Sequence, residues 1–268
     1  MNNEKSSPAP GRALPEHTIG NTVFVVDVAK AELRKKTNYR KRISFHDMDY
    51  EGTHYSLWYD DKQTQLAKYK VPNMVRLDPE GMALKYNKTF WELEGKTDFE
   101  VIVDQAFYKE RIGGRQPTIQ IGEHKYYVDF HWGMLRPHID HDKQIKHWPQ
   151  DLVFDELESI NHDTAYQFFF DAKKQSVFEF DEDILLIPPD IFLVTIPAEE
   201  KLDPFAYARK WNEPVEQYLM KNPPQRHFEA SLVPAGQTFL KDMVEENRKR
   251  FKEDDGMNPN DDKAKKKK

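Results

Sequence analysis

The strongest restriction on the fold comes from an internal repeat, in which five short blocks return in the same order later in the chain. A Val-Asp pair ending at Asp27 returns at Asp129, and a Leu-Asp-Pro block around Asp78 returns at Asp203. The offset grows from 102 residues for the first pair to 125 for the second. The matching blocks are 18–28 and 118–130, 33–34 and 135–136, 43–48 and 152–157, 55–60 and 166–171, and 77–87 and 202–212. A preserved order with a growing offset indicates two copies, the second extended by loop insertions.

Each copy is predicted to form a small α+β unit, because alternating apolar runs typical of strands precede a helix with clear capping residues. The fold class predicted for the chain is α+β, with two tandem homologous domains. Each domain is a small antiparallel sheet with a capped helix, and the tails are disordered. The predicted division is a disordered tail over 1–16, repeat 1 over 17–116, repeat 2 with loop insertions over 117–252, and a disordered charged tail over 253–268.

The pattern also places individual elements. Each first strand is followed by a loop or short helical turn, through Leu33-Arg34 in repeat 1 and Leu135-Arg136 in repeat 2. A hairpin comes next. The predicted hairpin arms are 55–59 with 66–71, and 166–170 with 177–180; a strand at 99–103, a helix at 105–111, a strand near 228–233 and a helix over 234–252 complete the prediction.

The Leu-Asp-Pro blocks predict helix starts. Asp78 can accept hydrogen bonds from first-turn amides as the N-cap, and Pro79 suits the first helical position because it lacks an N–H group. Asn87 can adopt the left-handed conformation that ends a helix. The second copy repeats this arrangement between Asp203 and Asn212.

Composition excludes several classes of protein. The chain of 268 residues has no cysteine, which rules out a disulfide scaffold, a thiolate zinc site and a cysteine nucleophile. The net charge of −6 gives no general polycationic field for nucleic acid. The N-terminus lacks the apolar core of a signal peptide, and the most apolar stretch, 184–197, is too short to cross a bilayer. We therefore expect no membrane span and a cytoplasmic location.

A histidine and aspartate cluster is the candidate metal site. It lies where repeat 2 is longer than repeat 1, and imidazole and carboxylate groups are ligands for zinc, manganese or iron. The candidate ligands are His131, His138, Asp140, His141 and Asp142. The alternative is a polar surface loop whose histidines are solvated.

The run His138-Ile139-Asp140-His141 resembles the end of the His-x-His-x-Asp-His motif of the metallo-β-lactamase-like hydrolases. Arg136 stands where that motif has its first histidine, and no glycine pair follows. The activity of that family is therefore not carried over to this chain.

Candidate binding residues are two repeated arginines and two aromatic residues on the predicted hairpins. Arg34 and Arg136 can bind a partner, or can form ion pairs with the aspartates of the repeated Val-Asp pairs. Trp58 and Phe169 can stack on a ligand, although alternating aromatic residues on strands are more often core residues. The lysine-rich end, 263–268, can contact phosphates or can simply remain solvated.

The sequence contains none of the common catalytic motifs, which favours a protein that is not an enzyme but leaves the question open. We expect a non-catalytic intracellular binding or assembly protein that grips a protein partner and needs no cofactor. One alternative is a metal-dependent hydrolase or nuclease that uses loop 131–147 with a divalent metal such as zinc or manganese. A second alternative is a nucleic-acid binder that uses the lysine tail and the aromatic faces.

Overall fold

The computed structural model describes residues 12–60, 66–139 and 148–255 of the chain. This part mixes helices with several small sheets, as the α+β prediction required. None of its helices has the length and apolar character needed to cross a membrane. By its internal contacts the chain divides into two compact units, the first formed by Met1–Gly114 with Pro204–Pro224 and the second by Arg115–Asp203 with Gln225–Lys268.

The described residues form strands and helices that are numbered here in chain order. The strands are β1 (Glu16–Ile19), β2 (Thr22–Asp27), β3 (Glu32–Lys35), β4 (Arg42–Ser44), β5 (Asp49–Tyr50), β6 (His54–Tyr59), β7 (Ala67–Pro72), β8 (Thr118–Ile121), β9 (His124–Asp129), β10 (Met134–Pro137), β11 (Leu152–Val153), β12 (Glu158–Ile160), β13 (Ala165–Asp171), β14 (Ser176–Val177), β15 (Ile191–Pro197), β16 (His227–Glu229) and β17 (Ser231–Pro234). The helices are α1 (Met74–Leu77), α2 (Pro79–Tyr86), α3 (Phe90–Leu93), α4 (Asp98–Ile102), α5 (Gln105–Ile112), α6 (Glu199–Leu202), α7 (Pro204–Lys210), α8 (Val215–Lys221) and α9 (Phe239–Asp255).

The first unit contains two antiparallel sheets, one in the order β1-β2-β3-β4 and one in the order β5-β6-β7. The predicted hairpin is confirmed, since β6 pairs with β7 and Tyr55 lies opposite Val71. The segments through Leu33-Arg34 and Leu135-Arg136 are strands, β3 and β10, instead of the predicted loops or helical turns. A short 3-10 turn, Val28–Lys30, with Ala31 in the left-handed region at φ 51°, brings the chain back early enough for β3 to pair with β2.

The helix prediction at Asp78 is confirmed. Its side chain accepts a hydrogen bond from the Gly81 N–H at 2.9 Å, and Asn87 ends α2 with φ 49°. Arg12 binds the same carboxylate with two nitrogens, at 2.6 and 2.5 Å. Residue 12 is thus anchored within the segment that the sequence assigned to the N-terminal tail.

The strand predicted at 99–103 is wrong, because these residues belong mainly to helix α4. Thr97 and Glu100 form a capping box, in which the Thr97 hydroxyl accepts from the Glu100 N–H and the Glu100 carboxylate accepts from the Thr97 N–H. These two hydrogen bonds satisfy backbone N–H groups that have no partner within the first turn, and this favours a helix start at Thr97. The helix predicted next, α5, is confirmed.

Helices α7 and α8 complete the core of the first unit, although the predicted linear division assigned their residues to repeat 2. Phe205, Leu219 and Met220 are buried in the same apolar cluster as the strands of the first unit. The Gln217 side chain accepts from the Tyr50 N–H at 3.1 Å and donates to the Met48 carbonyl at 2.9 Å. The first unit is therefore discontinuous in sequence.

The second unit contains two larger sheets. One has the order β11-β10-β9-β8-β16, in which β16 runs parallel to β8, and the other has the order β12-β13-β15-β17 with β14 on β13. The predicted hairpin between 166–170 and 177–180 is largely wrong. Only Phe170 and Asp171 pair with β14, whereas all of β13 pairs with β15. The longer strand offers more ladder hydrogen bonds, and this favours the more distant partner.

Helix α9 packs on the second unit through one apolar face. Leu240 and Val244 are buried, and the Asn247 amide donates to the carbonyls of Glu182 and Ile184 at 2.6 and 2.9 Å. The predicted helix over 234–252 starts later, at Phe239, because a 3-10 turn precedes it. It continues to residue 255, three residues into the segment that the sequence assigned to the C-terminal tail.

Candidate functional site

Arg34 and Arg136 form matched ion pairs, the alternative to partner binding that the sequence offered for them. Arg34 binds the buried carboxylate of Asp27 and also Glu32 at 2.6 Å, and Arg136 binds Asp129 at 2.9 Å. Each pair links two neighbouring strands, β2 with β3 and β9 with β10. The Arg136 side chain is 49% exposed, so part of it is left for a further contact, whereas Arg34 is largely covered.

Of the two aromatic candidates, only Trp58 has a ring that a ligand could reach from solvent. Its side chain is exposed on β6, opposite Lys68. Phe169 is buried, and its ring packs edge-on against Phe180 and Phe239 with centroid distances of 5.3 and 5.6 Å. The structure therefore places Phe169 in a core, where its ring is unavailable for stacking on a ligand.

The candidate metal site lies only partly within the described residues. The Nδ1 atom of His138 lies 3.1 Å from the Tyr127 hydroxyl, and the His131 ring packs edge-on against Trp132. The other three candidate ligands, Asp140, His141 and Asp142, lie outside the described residues, as does the lysine tail 263–268. Among the residues that are described, no three histidine or acidic side chains converge on a metal-sized site. The metal site stays a prediction.

The most unusual surface property is the position of the tryptophans. All five tryptophans of the sequence fall in the described part, and each has more than half of its surface exposed. Their exposed fractions are 60% for Trp58, 85% for Trp91, 65% for Trp132, 70% for Trp148 and 58% for Trp211. Tryptophan is normally largely buried in folded domains, so exposure of all five is unusual. The sequence pattern did not predict this exposure, since the period of these segments does not distinguish solvent-facing from core tryptophan.

A cavity of about 310 Å³ lies in the first unit. Its walls come from α1, α3 and the loop that joins α3 to α4, together with Thr53 and Pro79. Val75 and Leu93 are buried in the core and present apolar surface to the cavity, and the Phe90 ring is exposed at its edge. Cavities of this size lie at the lower end of the range that holds small ligands, or a short stretch of a peptide.

The charged residues around the cavity are mainly cationic. Arg76 and Lys96 line it with one acidic residue, Glu94. The Arg76 and Lys96 side chains are exposed, and neither forms an ion pair with any carboxylate in the described ranges. By contrast, Arg12 and Arg34 of the same unit are both paired. The cavity therefore presents two exposed cations, of which Lys96 also interacts electrostatically with the exposed carboxylate of Glu100.

Asp98 fixes the wall of this cavity from inside the protein. It is fully buried and accepts hydrogen bonds from the N–H groups of Met74 and Val75, both at 2.8 Å, and from the Tyr55 hydroxyl at 2.7 Å. Burial raises the pKa of Asp98 above its ordinary value, and the three hydrogen bonds oppose that rise. Because the carboxylate holds the first two residues of α1, it also positions Arg76, the next residue of that helix.

Asn73 adds an unsatisfied acceptor to the same wall. Its amide nitrogen donates to the Gly52 carbonyl at 3.1 Å, which identifies the side-chain oxygen as the remaining acceptor. That oxygen is buried and has no hydrogen-bond partner. A buried acceptor left unpaired costs about 1–3 kcal/mol of stability, so this part of the wall is less stable than a fully hydrogen-bonded one.

No family model, curated protein or solved structure matches this chain. The structure therefore defines the class of protein. It is an α+β protein of two compact units, with exposed tryptophans and a cavity lined mainly by cationic charge.

Proposed function

We propose that this protein is a non-catalytic binding or assembly protein that grips a protein partner. The observation that carries the proposal is the exposure of all five tryptophans. Tryptophan is among the residues most enriched at the energetic centres of protein interfaces, because its large rigid side chain buries much area at a low cost in conformational entropy. Side chains that are more than half exposed bury little area in the folded chain, so a partner surface is the natural role for these five tryptophans.

The proposal includes a duplicated α+β architecture. In support, the strand order β1-β2-β3-β4 corresponds to β8-β9-β10-β11, and both runs carry an Asp–Arg ion pair at the same position. The Val26 N–H donates to the Pro15 carbonyl at 2.9 Å, and the Val128 N–H donates to the Pro117 carbonyl at 2.9 Å. Shared contacts at a fixed offset favour common descent of the two sheets. A duplicated protein offers two related surfaces, which suits assembly.

A cytoplasmic setting is also part of the proposal. A chain of 268 residues without cysteine is compatible with a reducing compartment, where disulfide bonds contribute nothing to stability.

The test uses the full chain, immobilised, to capture a partner from native lysate of its source, followed by titration of the purified partner. Each tryptophan is replaced by alanine in turn. We expect at least one variant to lose about 2 kcal/mol of binding free energy, roughly thirtyfold in Kd. The free energy of unfolding should stay close to that of the unmodified chain, because the replaced side chains are exposed.

Tryptophan fluorescence supplies the control. Exposed indoles are open to a soluble quencher such as iodide, and a partner that covers them should reduce quenching in the complex. Two results would contradict the proposal: a chain that elutes only as free monomer from native lysate, or a captured partner that binds all five variants as tightly as the unmodified chain.

A further inference from the structure

The cavity of the first unit combines an apolar wall with two exposed cations that form no ion pair within the described residues. Val75, Leu93 and Phe90 provide the apolar wall, and Arg76 and Lys96 provide the charge. A guanidinium group binds a carboxylate through two parallel hydrogen bonds, and a nearby ammonium group strengthens the attraction. The cavity therefore suits a ligand that carries a carboxylate directly beside an apolar group.

The surroundings of the cavity favour a peptide over a small free anion. Trp91 follows the cavity residue Phe90 on α3 and is the most exposed tryptophan, at 85%. An anion that fills about 310 Å³ would leave this indole in water, whereas a peptide chain extends beyond the cavity that holds one of its residues. The protein as a whole carries a net charge of −6, so attraction of an acidic segment must come from local cations.

We propose that this cavity is the docking site for an acidic peptide segment of the protein partner. An Asp or Glu carboxylate of that segment binds Arg76 and Lys96, and a neighbouring aliphatic or aromatic side chain packs on Val75, Leu93 and Phe90. This inference rests on the proposed function and specifies what kind of surface the partner presents.

Selection from a random heptapeptide library on the immobilised full chain tests the inference. We expect enrichment of peptides in which Asp or Glu adjoins an aliphatic or aromatic residue. The double variant Arg76→Gln/Lys96→Gln should weaken binding of a selected peptide by about tenfold or more, as expected for loss of charge-assisted hydrogen bonds. The matched control is Arg40→Gln/Lys41→Gln, which removes the same charges from an exposed turn outside the cavity and should leave the Kd unchanged.

A second pair of variants tests the apolar wall. Phe90→Ala should also weaken the selected peptide, whereas Ile112→Ala, which truncates a similarly exposed side chain on α5, should have no effect. All four variants should keep the urea midpoint of the unmodified chain, because the altered side chains are exposed.

Three results would overturn the inference: no enrichment of acidic peptides, equal binding by the cavity variants and the unmodified chain, or equally effective competition by free succinate. The last result would identify a site for small anions. Failure here is distinguishable from failure of the proposed function. A captured protein partner that loses affinity with a tryptophan variant, but binds the Arg76→Gln/Lys96→Gln variant normally, would leave the proposed function standing and remove only this docking site.

Discussion

Asp98 shows how a single buried carboxylate can determine the geometry of a surface cavity. It joins β6, α1 and α4 through three hydrogen bonds, and none of its own surface is exposed. The sequence marks Asp98 only as an acidic residue in a polar segment. Its partners Tyr55 and Met74 lie 43 and 24 residues away in the chain, so the role arises from tertiary folding.

Replacement of Asp98 by Asn should destabilise the first unit by about 1–3 kcal/mol, because an amide NH₂ group would face a donor where the carboxylate accepts. Tyr55→Phe removes one donor and should cost about 1 kcal/mol. Urea unfolding of both variants measures these losses. If Asp98→Asn is as stable as the unmodified chain, the carboxylate does not act as a triple acceptor.

Tyr86 gives a prediction for alkaline pH. Burial, with a smaller contribution from the Asp98 charge, raises the pKa of Tyr86 from 10.0 to about 12. The folded state thus favours the protonated phenol. Its contribution to stability is full below pH 10 and is lost as the pH rises toward 12. Tyr86→Phe should reduce the decline in the free energy of unfolding across this window, by up to about 3 kcal/mol. An unchanged decline in urea titrations at several pH values would contradict the assignment.

At the scale of elements, the success of a prediction depended on whether the decisive contact was local. Asp78 caps α2 through the Gly81 N–H three residues away, and that start was predictable from Leu-Asp-Pro. The capping boxes at Thr89-Glu92 and Thr97-Glu100 were equally local. The second of them was a sequence pattern that could have corrected the mistaken strand at 99–103. Strand pairing is not local in this way, because β13 pairs with β15, which begins twenty residues after β13 ends.

Helix α9 gives a prediction at this scale. Asn247 holds the segment 182–184 through two hydrogen bonds, and Arg248 donates to the Leu185 carbonyl at 2.8 Å. Asn247→Ala should lower the free energy of unfolding by about 1–3 kcal/mol, since two buried contacts are lost. Segment 182–187 should also become more susceptible to limited proteolysis. The control Glu246→Ala alters an exposed neighbour on the same helix and should change neither property. Equal proteolysis of both variants would contradict the idea that Asn247 holds segment 182–184 in place.

At the scale of the whole molecule, neither unit is formed by one continuous stretch of the chain. Residues 204–224 return to the first unit after the intervening 115–203. A division into consecutive domains therefore separates Phe205, Leu219 and Met220 from the core in which they are buried. The repeated sequence pattern predicted some of the elements but not which of them pack together.

This arrangement predicts how fragments behave. Residues 1–116 alone should lack a cooperative urea transition, because the core of the first unit is left without α7 and α8. Residues 1–114 joined to 204–224 by a flexible Gly/Ser linker should regain that transition. Circular dichroism and urea titration of both fragments make the comparison. A cooperative transition in 1–116 would show that the two helices are dispensable for the fold.

The sequence by itself determined the α+β class, the first hairpin and the capped helix after Asp78, and it offered the two Asp–Arg ion pairs as one of two roles for these arginines. These features depend on side-chain period, capping chemistry and charge pairing over short distances along the chain. Tertiary structure alone decided that the tryptophans face solvent, that Asp98 supports a cationic cavity, and that α7 and α8 belong to the first core. Exposure and core membership depend on which distant surfaces meet, and a local pattern carries no information about that choice.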